Sequence, residues 1–211
     1  RCTRRRQRCR SNLWRGGRSA GGGVVATPVA TRWTGTSELF AVRDTHRLPP
    51  RPAPMSALPL PDDFRDLLVE LVDTGVDFVV VGGYAVALHG HPRATKDIDI
   101  LVRPSSENAA KVVQALGAFG APLSQFGVTE ADFQHPGGVL QLGVPPFRID
   151  LITEATGISY EEAVSACAAI DVDGRSVRFI GLAALLKNKR ATARPQDLAD
   201  VAALAPEYGE S

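Results

Sequence analysis

The chain has 211 residues, and its 24 Lys and Arg almost cancel its 23 Asp and Glu, but the balance averages two unlike parts. Residues 1–54 hold twelve Arg, no Lys and only Glu38 and Asp44 as acids, whereas residues 55–211 hold twelve basic and twenty-one acidic groups, a net charge of −9. The longest apolar run, Val76 to Leu88, is broken by Asp77 and Gly82-Gly83 and falls short of the roughly 20 residues of a membrane helix, while Cys2, Cys9 and Cys167 have no CxxC spacing, which argues against disulfide and zinc scaffolds and suits a reducing cytoplasm.

The Arg-, Gly- and Pro-rich segment 1–54 lacks the apolar surface that offsets the entropy of ordering a chain, so it is expected to be disordered and to stand apart from the fold. The sole Met, Met55, marks the seam where composition changes. Upstream sequence read in frame, a basic nucleic-acid-binding arm and a targeting segment all fit this composition. Residues 55–211 match the length of one domain with one core.

In chain order, Phe64, Leu67, Leu68, Leu71 and Val72 recur at helical spacing behind the acidic turn Asp62-Asp63, which predicts a helix to about Thr74. Gly75 breaks it, and Phe78-Val79-Val80-Val81 reads as a buried strand ended by Gly82-Gly83. A short helix over Tyr84–His89 and a loop at Gly90-His91-Pro92 precede a strand from Asp97 to Val102. Pro104 stops that strand, and Ser105 or Ser106 caps a helix from Glu107 to about Phe119. Residues 120–138 are poorly specified beyond a helical turn near Thr129–Phe133. Strands at Val139–Gly143 and Phe147–Thr153 are expected to pair antiparallel, a helix to follow over Tyr160–Ala168, and Asp173-Gly174 to turn a hairpin within Ile170–Ile180. Helices over Leu182–Arg190 and Gln196–Leu204 complete a mixed α/β domain, a small mixed sheet flanked by helices.

The chemistry concentrates between Val79 and Val102. Asp97 and Asp99 alternate with Ile98 and Ile100, so a period of two puts both carboxylates on one face, where they suit a hard cation such as Mg²⁺ shared with substrate phosphates. Alone, the pair would more often be the wet face of an amphipathic strand. Gly82-Gly83, between a buried strand and a helix, allow close backbone approach to a phosphate. Asp150, between Ile149 and Leu151, is expected to face the same side, and three carboxylates beside a glycine turn suit two-cation phosphoryl transfer. His89 and His91 have no partners at zinc-like spacing.

The apolar strand, Gly82-Gly83, thirteen intervening residues and Asp97-Ile-Asp99-Ile, with the distal Asp150, resemble the nucleotidyltransferase superfamily related to DNA polymerase β. Within it, Arg93-Ala-Thr95-Lys-Asp97-Ile-Asp99 and the block from Leu185 to Asp200 are similar to small bacterial proteins allied to AbiEii-type toxins, over roughly Phe64 to Leu204. The resemblance implies Gly82 and Gly83 at the nucleotide phosphates, Asp97 and Asp99 as ligands of two Mg²⁺ ions, Asp150 as third ligand or base, and Lys189 near the triphosphate. Arg93 could contact phosphate or pair with an acid, and Lys189 could equally be a solvated helix end. Asp197 and Asp200 are open between catalysis and stabilisation of a helix start. Two departures stand out: Gly83 occupies a position often held by Ser, and Ala193 replaces a Gly. The implied activity is transfer of a nucleoside monophosphate from an NTP to a hydroxyl of an RNA such as tRNA, a protein or a small molecule, with an antitoxin protein among the implied partners; a catalytically idle nucleotide- or partner-binding module is the alternative.

Overall fold

The computed structural model describes residues 58–208 except Pro145, together with the backbone of 15–18 and 24–27. Arg15–Arg18 (β1) and Val24–Thr27 (β2) pair antiparallel, and Val24-Val25 run parallel to Leu140-Gln141. Both strands fall within segment 1–54, which was expected to be disordered and to stand apart from the fold; the rest of that segment lies outside the described residues.

Helix α1 (Asp62–Asp73) buries Phe64, Leu67, Leu68 and Leu71 and ends where Gly75 takes φ +71°. Strand β3 (Phe78–Val81), buried at all four residues, leads directly into α2 (Gly82–Leu88), and β4 (Asp97–Val102) returns antiparallel to β3. Helix α3 (Ser106–Phe119) is capped by Ser105, whose hydroxyl accepts from the Asn108 backbone N–H, and the left-handed Gly120 ends it. The buried Asn108 side chain donates to the carbonyls of Asp77 and Arg103 and accepts from the Asp77 N–H. It thereby ties the start of β3 to the end of β4.

A short helix, α4 (Leu123–Phe126), and a 3₁₀ turn over Glu130–Phe133 follow. Strands β5 (Val139–Val144) and β6 (Phe147–Ile152) pair antiparallel, and β6 lies parallel to β4. Helix α5 (Tyr160–Val164) precedes β7 (Ala168–Val172) and β8 (Arg175–Phe179), which form the expected hairpin across the left-handed Asp173 and Gly174. Helices α6 (Leu182–Thr192) and α7 (Pro195–Leu204) end the domain, packed together. The described strands form one sheet in the order β1-β2-β5-β6-β4-β3-β8-β7, so the mixed α/β architecture expected from the sequence is the one observed. Among the described residues no helix is long and apolar enough to cross a membrane.

Besides β1 and β2, two elements differ from expectation. The helix expected over Tyr160–Ala168 stops at Val164, because Ser165 is extended, Ala166 is left-handed at φ +55°, and the chain there lies against Gly181, where a Cβ would meet the Ala166 carbonyl at 2.5 Å. Cys167 therefore lies between that turn and β7 rather than in a helix, half-buried. Helix α4 had no periodic signal, being a single turn closed by the left-handed Gly127.

Ala193 takes φ +51° at the end of α6, a conformation costing an L-residue roughly 1–2 kcal/mol and glycine almost nothing. This accounts for the glycine often found there in the resembling proteins. Ala193→Gly is expected to stabilise the protein by about 1 kcal/mol in urea denaturation; an unchanged or lower midpoint would show that the turn carries no such strain.

Candidate active site

Strand β4 is central, with Ile98 and Ile100 fully buried on one face, which leaves Asp97 and Asp99 on the other. In register, Asp97 stands opposite Arg148 and Asp99 opposite Asp150 across the parallel β4–β6 ladder, while Val81 stands opposite Asp99 on β3. The three carboxylates thus share one face, as alternation required. They open into a cleft of about 390 Å³, whose lining includes Gly82, Gly83, Arg93, Thr95, Arg148 and Lys189. Asp197 borders the same cleft, whereas Asp200 is not among its lining residues.

The glycine turn packs against the carboxylates. Gly82 has φ +65°, and a Cβ there would meet Asp99 Oδ2 at 1.9 Å, so only glycine allows this approach. A Cβ at Gly83 would meet Thr95 Oγ1 at 2.5 Å and Thr95 Cβ at 2.9 Å. Thr95 Oγ1 donates to the Asp97 carbonyl at 3.1 Å, which fastens the approach to β4. The serine common at position 83 in the resembling proteins has no room while Thr95 stands beside it.

Burial pushes the Asp99 carboxyl up to about 6, with the charges of Asp150 and Asp97 adding and those of Lys189 and Arg148 opposing. Burial also raises Asp150, against bonds from Arg148 and Gln141. The Arg148 guanidinium grips Asp150 with both arms, Nε to Oδ1 at 2.7 Å and Nη2 to Oδ2 at 2.9 Å, and Nη2 also reaches Asp97 Oδ2 at 3.3 Å. Among the described residues no three acid, imidazole or thiol groups converge as a ready-made cation cage. Arg148 lies between two of the acids instead.

Lys189 is buried, 4% exposed, and its Nζ donates to Asp197 Oδ1 at 2.6 Å and pairs with Asp200 Oδ2 at 2.9 Å. Arg93 holds Asp200 through Nε at 2.9 Å and Nη2 at 3.1 Å, while Thr192 and Arg194 donate to Asp197 Oδ2. Burial acts to raise Asp197, but these bonds outweigh it and hold that carboxyl at about 2; Asp200 is likewise held below the usual carboxylate range, by Arg93 and Lys189 against burial. Asp197 does lie in the first turn of α7, yet that helix has no side-chain cap, and both acids serve a buried ion network joining α6, α7 and the loop before β4. Lys189 is therefore not a solvated helix end, and Arg93 pairs with an acid. His89 turns its ring to the Ile180 carbonyl, 2.8 Å away.

Thr95, Arg148, Glu154 and Arg194 border the cleft without having been singled out from the sequence. For Arg148 a signal existed, since it lies two residues from Asp150 on one strand and so on the same face. A cleft combining clustered acids, a glycine turn and basic groups can hold a charged phosphate ester and take a proton from a hydroxyl nearby.

A Thermotoga maritima protein described as a nucleotidyltransferase is 13% identical, with 68% of this chain and 91% of that one covered and a TM-score of 0.44. An antigenic nucleotidyltransferase-like protein from Paracoccidioides brasiliensis is 19% identical, with 67% and 73% covered and a TM-score of 0.42. No curated protein sequence matches this one. The sequence pattern of the aminoglycoside-2''-adenylyltransferase family runs over residues 63–204, from the first turn of α1 to the last residue of α7, and on that match the chain belongs to this family and is a nucleotidyltransferase.

Proposed function

We propose that the protein transfers a nucleoside monophosphate from an NTP to a hydroxyl acceptor with the help of Mg²⁺, at the cleft between β4, β6 and α6. The observation that carries this reading is the shared face of Asp97, Asp99 and Asp150 beside Gly82-Gly83. The donor set fits the ion: carboxylate oxygens are hard ligands, and Asp99 keeps its proton up to about 6 because burial and the Asp150 charge leave negative charge uncompensated. When bound, Mg²⁺ supplies charge neutralisation of the phosphates and of the leaving pyrophosphate.

The protein's own groups do the rest. Asp97 and Asp99 hold the cations. Asp150, on the same face, shares the cations as a third ligand or, with its raised affinity for protons, takes the proton of the attacking hydroxyl. Gly82 and Gly83 leave room for the phosphates at the wall of the cleft, and Lys189, through its place in the ion network, keeps positive charge beside Asp99. Arg93 reaches a phosphate only by loosening its hold on Asp200.

For the acceptor we favour a hydroxyl of a cationic amino sugar. The family's description, the exposed Glu154 on the cleft rim and the net charge of −9 over residues 55–211 support it, because an acidic rim attracts ammonium groups and disfavours a broad grip on nucleic-acid phosphates. An RNA or protein acceptor, with the toxin role of AbiEii-type relatives, is the competing outcome. The test is to incubate the protein with each α-³²P-labelled NTP, Mg²⁺ and, separately, a panel of aminoglycosides, total RNA and a protein lysate. Label on an aminoglycoside is the expected result; label on RNA or protein only would overturn the acceptor reading, and no label on any pool would favour the idle module.

A further inference from the structure

Arg148 stands opposite Asp97 in register and two residues before Asp150 on the same strand face, so its guanidinium lies across both carboxylates. It engages Asp150 Oδ1 and Oδ2 and Asp97 Oδ2, and Gln141 donates to Asp150 Oδ2 as well, at 3.4 Å. A divalent cation on Asp97 and Asp150 would draw on these same oxygens. The guanidinium and the cation therefore compete for one set of lone pairs, and two positive charges a few ångströms apart also repel. The Arg148 side chain is 31% exposed and already borders the cleft, so it can leave the acids without unpacking the core.

We infer that Arg148 is a resident counter-cation of the active site: it neutralises Asp97 and Asp150 while no divalent ion is present, and it yields them when one binds. This inference rests on the proposed cation site. It assigns Arg148 two opposite effects, support of the metal-free fold and weakening of intrinsic metal affinity. Once released, the guanidinium is turned loose inside the cleft, where an anionic phosphate is the natural new partner.

The test is direct Mn²⁺ binding to the full chain, read from the EPR signal of free Mn²⁺, with no nucleotide present. Arg148→Gln should bind Mn²⁺ about ten-fold more tightly than the unaltered protein, on the scale by which groups bonded to metal ligands change affinity, and Arg148→Lys should fall between them. In EDTA, Arg148→Gln should melt lower than the unaltered protein and regain the difference with Mn²⁺. Affinity unchanged or weakened in both variants would overturn the role of Arg148. Should Arg148→Gln fail to fold, the Lys variant carries the same sign. Mn²⁺ binding that the double substitution Asp97→Asn, Asp99→Asn leaves untouched would instead remove the cation site itself, and the proposed function with it.

Discussion

Asp99→Asn is expected to lower nucleotidyl transfer by about 10³-fold or more, because it removes a cation ligand worth several kcal/mol in the transition state, while making the metal-free protein more stable at neutral pH. The sign of the second effect follows from the raised carboxyl. Folded Asp99 titrates at about 6, against an ordinary Asp value near 3.9, so between these values the folded chain holds a proton that the unfolded chain has lost. Stability then falls as pH rises through that window, and above about 6 the ionised, buried Asp99 costs on the order of 3 kcal/mol. Asparagine carries no such cost. Urea denaturation in EDTA at pH 4 and pH 7.5 should show the variant ahead only at the higher pH, and Mg²⁺ should erase its lead by stabilising the unaltered protein alone. A variant less stable at pH 7.5 would mean that Asp99 is a structural partner rather than a ligand held in readiness.

Lys189→Met should cost about 3 kcal/mol of stability, the low end for breaking a buried ion pair from one side, since it takes the shared cation from Asp197 and Asp200, buried at 3% and 1% exposure, and leaves each only its remaining partners. The pH dependence should change with it. With Asp197 held at about 2, the stability it contributes is complete above the ordinary carboxylate value and is lost as pH falls toward 2. In the Met variant that acid-side loss should shrink, because one of the bonds that depress Asp197 is gone. Parallel denaturation series from pH 2 to pH 6 would measure both. Were Lys189 a phosphate contact alone, its loss would raise the KM for NTP and leave these curves unmoved.

The arrangement of the domain was legible where short-range rules act. Strand alternation placed Asp97 and Asp99 together, glycine marked the turn into α2, the pair Ser105-Ser106 marked the start of α3, and Asp173-Gly174 marked the hairpin, because each depends on neighbours a few residues away. Alternation within β6 likewise foretold the face that Asp150 occupies. The sequence by itself thus determined the order of the elements from α1 to α7 except α4, the mixed sheet, and the acids and glycines that border the cleft.

Only the tertiary structure decided what those groups do to one another. That Asp99 falls opposite Asp150, and Asp97 opposite Arg148, depends on the register of two strands some fifty residues apart, which no local pattern specifies. The burial of Lys189, the grip of Arg93 on Asp200 more than a hundred residues along the chain, and the contact of Thr95 with Gly83 arise the same way. A charged side chain written in a sequence has no partner and no depth; docking α6 and α7 beside the cleft supplies both, and it turns groups that read as solvated into a buried network beside the carboxylates.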